Sequence, residues 1–308
     1  MPDPNPGPIS AGTGICAVLG HPIRHSASPA MQNAGIGALG LDWRYVAFET
    51  RPEDLAKAIE GARAMRYIGL NLTVPHKLLA VDLMDELDES ARTWGAVNTV
   101  VFEGRNEAGE WHPLGQWPGG GFSEVRTRGY NTDADAIVRS LRQDLLCEPQ
   151  GAEVLLLGAG GAGRVAALKL AAEGVQKLWL VNRTESKARQ VAEEIRDAHP
   201  SVEAAVGYPP VGARLDLILN ATSLGLKPDD PSPLDESSFP ITGARAVYDM
   251  VYRPDKTELL RTAQRADCRT ADGTGMLLWQ GVKALEIWSG RPAPAEIMRE
   301  ALTRHLNR

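Results

Sequence analysis

Residues 154–163 read VLLLGAGGAG and pass from four apolar residues directly into a glycine-rich turn. The apolar run predicts a buried strand, and residues Arg164–Glu173 predict a helix. Gly158, Gly160 and Gly163 have the G-x-G-x-x-G spacing in the strand–turn–helix context that dinucleotide binding requires. Such glycines permit a tight turn and the close approach of a pyrophosphate, and the helix N-terminus offers free N–H groups to the phosphates. The stretch therefore predicts a dinucleotide-binding domain.

The end of the next predicted strand indicates which dinucleotide is bound. An NAD site usually carries Asp or Glu there, whereas this chain has Asn182 followed by Arg183. A carboxylate would repel a 2′-phosphate, and a guanidinium can hold one with paired hydrogen bonds. NADP is therefore favoured. The alternative is that Arg183 is a solvated charge and that Glu185, which lies past the strand end, takes the acidic role.

In the N-terminal half, residues 69–77 (GLNLTVPHK) form the second stretch of interest. Alternating apolar and polar residues predict a strand over Tyr67–Val74, which Pro75 ends because proline cannot donate to a sheet. A helix is predicted over Leu78–Ala91. The junction thus gathers an amide, a hydroxyl and the Lys77 amine at the carboxyl end of a strand, where open α/β sheets bind ligands. The alternative is a capped surface turn with a solvated lysine.

Other polar residues also follow or interrupt predicted apolar elements. Ser26 and Ser28 lie after a first strand and suit a polyol or a carboxylate, although Ser28 is equally suited to cap the helix that Pro29 opens. Asn98 is embedded in a strand, Asp133 precedes a helix that it could cap, and Gln280 interrupts an apolar helix. Strands and helices alternate over the first hundred residues, which predicts an α/β domain with a mostly parallel sheet.

Residues 103–129 interrupt this alternation with a polar, glycine-rich segment that contains two tryptophans. So long a loop can be functional, but an elaborated surface hairpin is the favoured interpretation. Residues 1–13 are rich in proline and glycine and are expected to be disordered.

Composition limits the remaining possibilities. A length of 308 residues predicts two domains, and a net charge of −6 argues against a nucleic-acid-binding surface. Neither a membrane-spanning apolar run nor a signal peptide is evident, so a cytoplasmic protein is expected. The three cysteines are far apart and are typical of reduced thiols, and neither they nor the six histidines show a metal-ligand spacing.

Nine stretches, taken together, resemble the shikimate dehydrogenase family, whose members interconvert 3-dehydroshikimate and shikimate. In the family's order they are GHPIRHSASP (20–29), GLNLTVPHK (69–77), GAVNTVV (95–101), GYNTDA (129–134), GAGGAG (158–163), VNRT (181–184), NATSLG (220–225), YDMVY (248–252) and DGTGMLLWQG (272–281). They are distributed along nearly the whole chain after residue 14.

The resemblance implies a role for each matching residue. The implied catalytic pair is Lys77 and Asp133. The resemblance also implies that seven further residues contact the substrate: Ser26, Ser28, Asn71, Thr73, Asn98, Tyr252 and Gln280. For NADP, the resemblance implies binding by Gly158, Ala159, Gly160, Gly161, Ala162, Gly163, Asn182, Arg183, Thr184, Lys187, Met250 and Gly273.

The resemblance also implies the domain organisation. A substrate-binding and catalytic α/β domain would comprise residues 1–133 and 274–308, and a Rossmann-type domain residues 134–273, with a cleft between them. A small-molecule substrate and a monomer or homodimer are expected, without a nucleic-acid, membrane or metal partner.

Three features depart from the family pattern: the long 103–129 segment, Gln32 in place of a common histidine, and Tyr130 in place of a common acidic residue. They leave open a diverged subgroup that uses quinate or an amino analogue. A second alternative is a binding module without catalysis, although such a module would need neither Lys77 nor Asp133.

Overall fold

The structure is a computed structural model that describes residues 8–117 and 121–307. The chain divides into two compact units. The first unit ends at Asp133 and resumes at Leu278, and the second is Ala134–Leu277.

The first unit is built on a mixed sheet. Its strands are β1 (Gly14–Gly20), β2 (Trp43–Glu49), β3 (Gly69–Leu72), β4 (Glu86–Leu87), β5 (Thr99–Arg105), β6 (Trp111–Pro113) and β7 (Val125–Tyr130). Its helices are α1 (Ser28–Ala38), α2 (Leu55–Ala64), α3 (His76–Leu79), α4 (Glu89–Trp94) and the C-terminal Ala295–Leu306. The strand order is β2-β1-β3-β5-β7-β4, with β6 paired to β5. Pairing is parallel from β2 to β3 and antiparallel on both sides of β5, because β5 runs opposite to β3 and β7.

The second unit follows the doubly wound pattern. Helix α5 (Asp133–Asp144) leads into it, and its elements are β8 (Glu153–Leu157), α6 (Gly161–Ala172), β9 (Lys177–Val181), α7 (Glu185–Ala198), β10 (Glu203–Val206), β11 (Leu215–Asn220), β12 (Ala244–Asp249), α8 (Glu258–Arg265) and β13 (Arg269–Asp272). Helix α9 (Thr274–Ser289) follows, and the C-terminal helix Ala295–Leu306 is α10. The parallel strands are ordered β10-β9-β8-β11-β12-β13, so the chain begins at β8 in the middle and builds outward in both directions. The order reverses at β8, which is where such sheets bind nucleotides.

The predicted fold class is confirmed, since α/β units alternate and parallel pairings predominate among the described strands. The β8 strand shows why the prediction succeeds. Val154–Leu157 is fully buried, as a central strand covered on both faces must be.

The predicted helix over Leu78–Ala91 is wrong. The chain instead makes the single turn α3, a 3₁₀ turn, strand β4 and helix α4. The Asp85 carboxylate accepts from the Thr127 amide at 2.7 Å, and β4 pairs with β7. Helix α4 begins anew because the Asp88 side chain accepts from the Ser90 amide at 3.0 Å and caps it. Contacts with a strand far along the chain therefore override the local helical pattern.

The structure also bears on the predictions for residues 103–129 and for residues 1–13. The hairpin predicted for residues 103–129 is confirmed, because β5 pairs antiparallel with both β6 and β7. The disorder predicted for residues 1–13 falls in part on residues 1–7, which lie outside the described residues. Beyond them it is wrong, since Ser10 and Thr13 form a turn that the Thr13 hydroxyl anchors to Asp42 at 2.9 Å.

Among the described residues, none of the helices combines the length and the apolar character that crossing a bilayer demands.

Candidate active site

Lys77 and Asp133 form an ion pair in the first unit. Lys77 Nζ donates to Asp133 Oδ2 at 2.7 Å, and their side chains are 20% and 8% exposed. The pair is therefore largely shielded, while the ammonium keeps some access to solvent. The backbone at both ends is fixed: the Asp133 amide donates to Asn131 Oδ1 at 3.1 Å, and the Lys77 carbonyl accepts from Val97 at 2.8 Å.

The sheet topology explains how residues 56 positions apart come together. Strand β5 runs antiparallel to both β3 and β7, so β3 and β7 point the same way. Their carboxyl ends, and the amino end of β5, therefore lie at one edge of the sheet. Lys77 follows β3, Asp133 follows β7, and Asn98 directly precedes β5.

Asn71 lies at this edge but directs its amide into the protein. Its Oδ1 accepts from the Tyr45 hydroxyl at 2.8 Å, and its Nδ2 donates to Thr99 Oγ1 at 3.0 Å and to the Asn98 carbonyl at 3.2 Å. Both amide hydrogens are thus used within the sheet, and a substrate could reach only the remaining Oδ1 lone pair without displacing a partner. Tyr45 and Thr99, which sequence reasoning missed, hold this side chain.

Thr132 forms hydrogen bonds with two of the predicted positions, Asn98 and Gln280. Its amide donates to Asn98 Oδ1 at 2.8 Å, and its hydroxyl accepts from Asn98 Nδ2 at 2.9 Å. The same hydroxyl donates to the Gln280 carbonyl at 3.2 Å. Thr132 was also missed, although it directly precedes Asp133 in the 129–134 motif, and this position was the available signal.

Ser26 and Thr73 lie on loops, and Ser28 is the first residue of α1. The predicted N-cap role of Ser28 is wrong, because α1 begins at Ser28 itself and Ala27 occupies the cap position. Ser26 Oγ accepts from the Ser28 amide at 3.3 Å, so the upstream hydroxyl takes up that free N–H. The Thr73 methyl packs so closely on Gly20 that a Cβ there would lie 2.5 Å from it.

His76, next to Lys77, adds no positive charge to the site. Its ring is buried, and Nε2 donates to the Thr50 carbonyl at 2.9 Å. Burial lowers the pKa of His76 below its ordinary value, which this hydrogen bond only partly opposes. The positive charge at this junction is therefore that of Lys77.

The glycine-rich loop of the second unit fits a pyrophosphate, and each glycine has its own reason. Gly158 adopts a positive φ of 106°. A Cβ at Gly163 would lie 2.2 Å from the Gly158 carbonyl oxygen, so this glycine permits close helix–strand packing. A Cβ at Gly160 would meet no described atom within 4 Å, so this position faces open space that a phosphate can enter. Helix α6 begins with Gly161 and Ala162, and the free N–H groups of its first turn point toward this space.

The end of β9 fits a 2′-phosphate. Asn182 Oδ1 accepts from the Ala159 amide at 3.0 Å, and its Nδ2 donates to the Thr184 carbonyl at 2.8 Å. Arg183 and Lys187 are exposed beside it. Glu185 pairs with Arg189 one helical turn on, so its carboxylate is engaged away from the acidic role considered above.

Met250 and Gly273 follow β12 and β13 at the same sheet edge, and a Cβ at Gly273 would lie 2.1 Å from the Met250 carbonyl oxygen. Tyr252 also belongs to the second unit, unlike the other residues assigned to the substrate.

Family models match three parts of the chain. Residues 18–100 match the shikimate dehydrogenase substrate binding domain. Residues 140–225 match the shikimate / quinate 5-dehydrogenase model, and residues 273–303 match the shikimate 5′-dehydrogenase C-terminal domain.

Full-length relatives agree with these matches. The chain is 37% identical over 303 residues to the shikimate dehydrogenase (NADP(+)) of Methanopyrus kandleri, which covers 97% of this chain and 98% of that protein. A crystal structure of shikimate 5-dehydrogenase from Thermus thermophilus in complex with NADP(H) and shikimate is 35% identical with a TM-score of 0.77, covering 95% of this chain and 100% of that one. A quinate dehydrogenase from Corynebacterium glutamicum in complex with NAD is 31% identical with a TM-score of 0.76, covering 95% and 99%. By sequence and by structure, this chain belongs to the shikimate dehydrogenase family.

Proposed function

We propose that this protein catalyses the reversible, NADPH-dependent reduction of 3-dehydroshikimate to shikimate, a step in the biosynthesis of aromatic amino acids. The observation that carries the proposal is the 2.7 Å pair of Lys77 and Asp133 at the sheet edge. An ammonium held by a carboxylate can supply the proton and the positive charge that ketone reduction calls for.

NADPH supplies the hydride, so negative charge grows on the ketone oxygen of the substrate. The Lys77 ammonium stabilises that charge and gives up a proton to the oxygen, and in the reverse direction Lys77 takes the proton back. Asp133 orients the ammonium through its short hydrogen bond. Backbone hydrogen bonds at Lys77 and Asp133 support this arrangement of the pair.

Ser26, Ser28, Thr73 and Gln280 would hold the carboxylate and ring hydroxyls of the substrate. Asn71 and Asn98 would act at least partly by ordering their neighbours, since both are buried and bonded within the protein. The first unit would thus bind the substrate and the second NADPH.

The preference for NADPH rests on the end of β9. Arg183 is exposed and can bind a 2′-phosphate, Lys187 adds a second positive charge, and Glu185 is paired with Arg189. NADH, which lacks the phosphate, would lose these interactions.

We further propose that the enzyme works in the cytoplasm as a monomer or homodimer. The three cysteines are free and buried, which suits a reducing compartment. The net charge of −6 argues against a nucleic-acid partner.

The test is a comparison of shikimate and quinate oxidation with NADP⁺ and with NAD⁺. We expect kcat/KM to be highest for shikimate with NADP⁺, since Arg183 can bind the 2′-phosphate and, in the family pattern, serines at positions 26 and 28 favour shikimate over quinate. Faster turnover of quinate with NAD⁺ would overturn the assignment in favour of a quinate enzyme. Measurable binding of these ligands without turnover of any of them, or of an amino analogue, would favour a non-catalytic module.

A further inference from the structure

A buried polar cluster in the second unit has no part in the roles assigned above. Asp249 ends β12 and Asn220 ends β11, and both side chains are fully buried. Asp249 Oδ1 accepts from Asn220 Nδ2 at 2.8 Å and from the Val251 amide at 3.0 Å, and its Oδ2 accepts from the Thr257 hydroxyl at 2.7 Å. A carboxylate is costly to bury, and these donors offset part of that cost: burial raises the pKa of Asp249, and the hydrogen bonds oppose that shift.

Through these bonds Asp249 orders the segment that follows β12. The Val251 amide is held directly, and the Thr257 hydroxyl both donates to Asp249 and accepts from the Leu260 amide at 3.3 Å as the N-cap of α8. The start and the end of the connection from β12 to α8 are therefore tied to one carboxylate.

Asn220, which is bonded to Asp249, also forms hydrogen bonds that order the loop after β11. Its Oδ1 accepts from the Thr222 amide at 2.9 Å and from the Thr222 hydroxyl at 2.8 Å, and its Nδ2 also donates to the Leu224 carbonyl at 3.2 Å. That loop is in close contact with the glycine-rich turn, since a Cβ at Gly158 would lie 2.9 Å from the Ala221 carbonyl carbon.

The strand order assigns these loops to one half of the cofactor. The pyrophosphate site follows β8, and the residues suited to the 2′-phosphate follow β9, on one side of β8. The nicotinamide half must then extend to the other side, over the ends of β11 and β12. Those ends are the two that Asp249 joins.

We propose that Asp249 is a positioning residue for the nicotinamide half of NADPH. It sets the loops 220–225 and 249–257 at the distance and orientation that hydride transfer requires, without touching the reacting atoms. The inference rests on the proposed function and names a determinant of the rate that lies outside the Lys77–Asp133 pair.

The test compares Asp249→Ala and Asp249→Asn with the control Asp216→Ala. Asp216 belongs to β11, the strand that Asn220 ends, but lies near the opposite end of that strand, where it accepts from the Glu153 amide at 3.0 Å and pairs with Arg245 at 2.9 Å. Loss of Asp216 thus removes a carboxylate from the same sheet at the edge away from the cofactor.

We expect Asp249→Ala to lower kcat by about 10- to 100-fold, because a displacement of the nicotinamide by about 1 Å has that effect. The deuterium isotope effect with NADPH labelled at the transferred position should rise, since hydride transfer becomes rate-limiting. The Kd of adenosine 2′,5′-bisphosphate, which probes only the adenosine half, should stay unchanged, whereas NADP⁺ should bind more weakly. Asp249→Asn should recover most of the loss, because its amide oxygen still accepts from Asn220 and Val251. Asp216→Ala should lower Tm but not kcat.

Two results would overturn the inference: a folded Asp249→Ala enzyme with unchanged kcat, or an equal loss of affinity for NADP⁺ and for the bisphosphate fragment. If Asp249→Ala does not fold, Thr257→Val removes one donor at constant shape, and it should lower kcat in a way that Thr257→Ser restores. An unchanged kcat in Thr257→Val would then contradict the inference. If the wild-type enzyme turns over no substrate, the proposed function fails, yet the ratio of the two dissociation constants still tests the role of Asp249.

Discussion

Replacing Lys77 by alanine removes the group that, in the proposed reaction, both donates the proton and stabilises the negative charge. The ammonium lies 2.7 Å from Asp133 Oδ2 and is 20% exposed, so water can enter the space but cannot reproduce the positioned donor. The substitution leaves the glycine-rich loop and the end of β9 untouched.

The expected loss of turnover follows from the two roles of Lys77. General acid catalysis contributes about 10²- to 10⁴-fold, and a single charge-stabilising donor about 10²- to 10³-fold. The two effects overlap in one side chain, so we expect kcat to fall by about 10³-fold, or roughly 4 kcal/mol of transition-state stabilisation. Asp133 also loses its partner, which lowers the free energy of unfolding by about 1–3 kcal/mol.

The assay measures kcat for NADPH oxidation by 3-dehydroshikimate, with the Kd of NADPH measured separately by fluorescence titration. The Kd should not change, and added ethylammonium should restore part of the lost turnover by replacing the missing amine. Lys57→Ala is the matched control, since Lys57 lies on α2 in the same unit and is 85% exposed. If Lys77→Ala kept kcat within about threefold of the wild type, the role assigned to Lys77 would be wrong.

Three further predictions concern other parts of the chain. Arg183→Ala should raise the KM for NADPH by about 10- to 100-fold and leave that for NADH nearly unchanged, because only NADPH carries the phosphate; equal effects on both would refute the 2′-phosphate assignment. Gly160→Ala should fold normally but bind NADPH weakly, whereas Gly163→Ala should lower Tm, because its methyl group would lie 2.2 Å from a backbone oxygen; calorimetry and NADPH titration distinguish the two, and the reverse pattern would be evidence against the pyrophosphate site. Burial lowers the pKa of His76 below about 6.5, so the folded state disfavours the charged ring and loses stability as the pH falls below this value. Denaturation of the wild type and of His76→Gln between about pH 8 and pH 5 should show that the free energy of unfolding of the wild type falls relative to that of the variant toward acid. A difference in the free energy of unfolding that stays constant with pH would contradict this reasoning.

The second unit could be predicted from sequence because its signals are local. Strand β8, the turn that starts at Gly158 and helix α6 are specified by consecutive residues. The short edge strands β10 and β13 escaped prediction, since neither is a buried apolar run: both begin with an exposed residue and continue half-buried.

The first unit was harder to predict because distant residues decide its local structure. The helical pattern after Lys77 gave way to β4 once Asp85 bonded to Thr127, 42 residues away. The position of Asp133 likewise depends on two antiparallel pairings around β5.

The supporting residues of the site were hidden for the same reason. Tyr45 and Thr99 reach Asn71 only across the assembled sheet, and Thr132 meets Gln280 only when α9 returns. The sequence identified residues whose side chains could take part in the chemistry, whereas the topology determines which of them are bonded to one another.

The most direct test of the account follows NADPH absorbance after 3-dehydroshikimate is added to the purified wild-type protein, with the product identified by chromatography. The account predicts saturable NADPH consumption, with one shikimate formed for each NADPH oxidised. The absence of NADPH consumption from a folded protein that binds both ligands would contradict it.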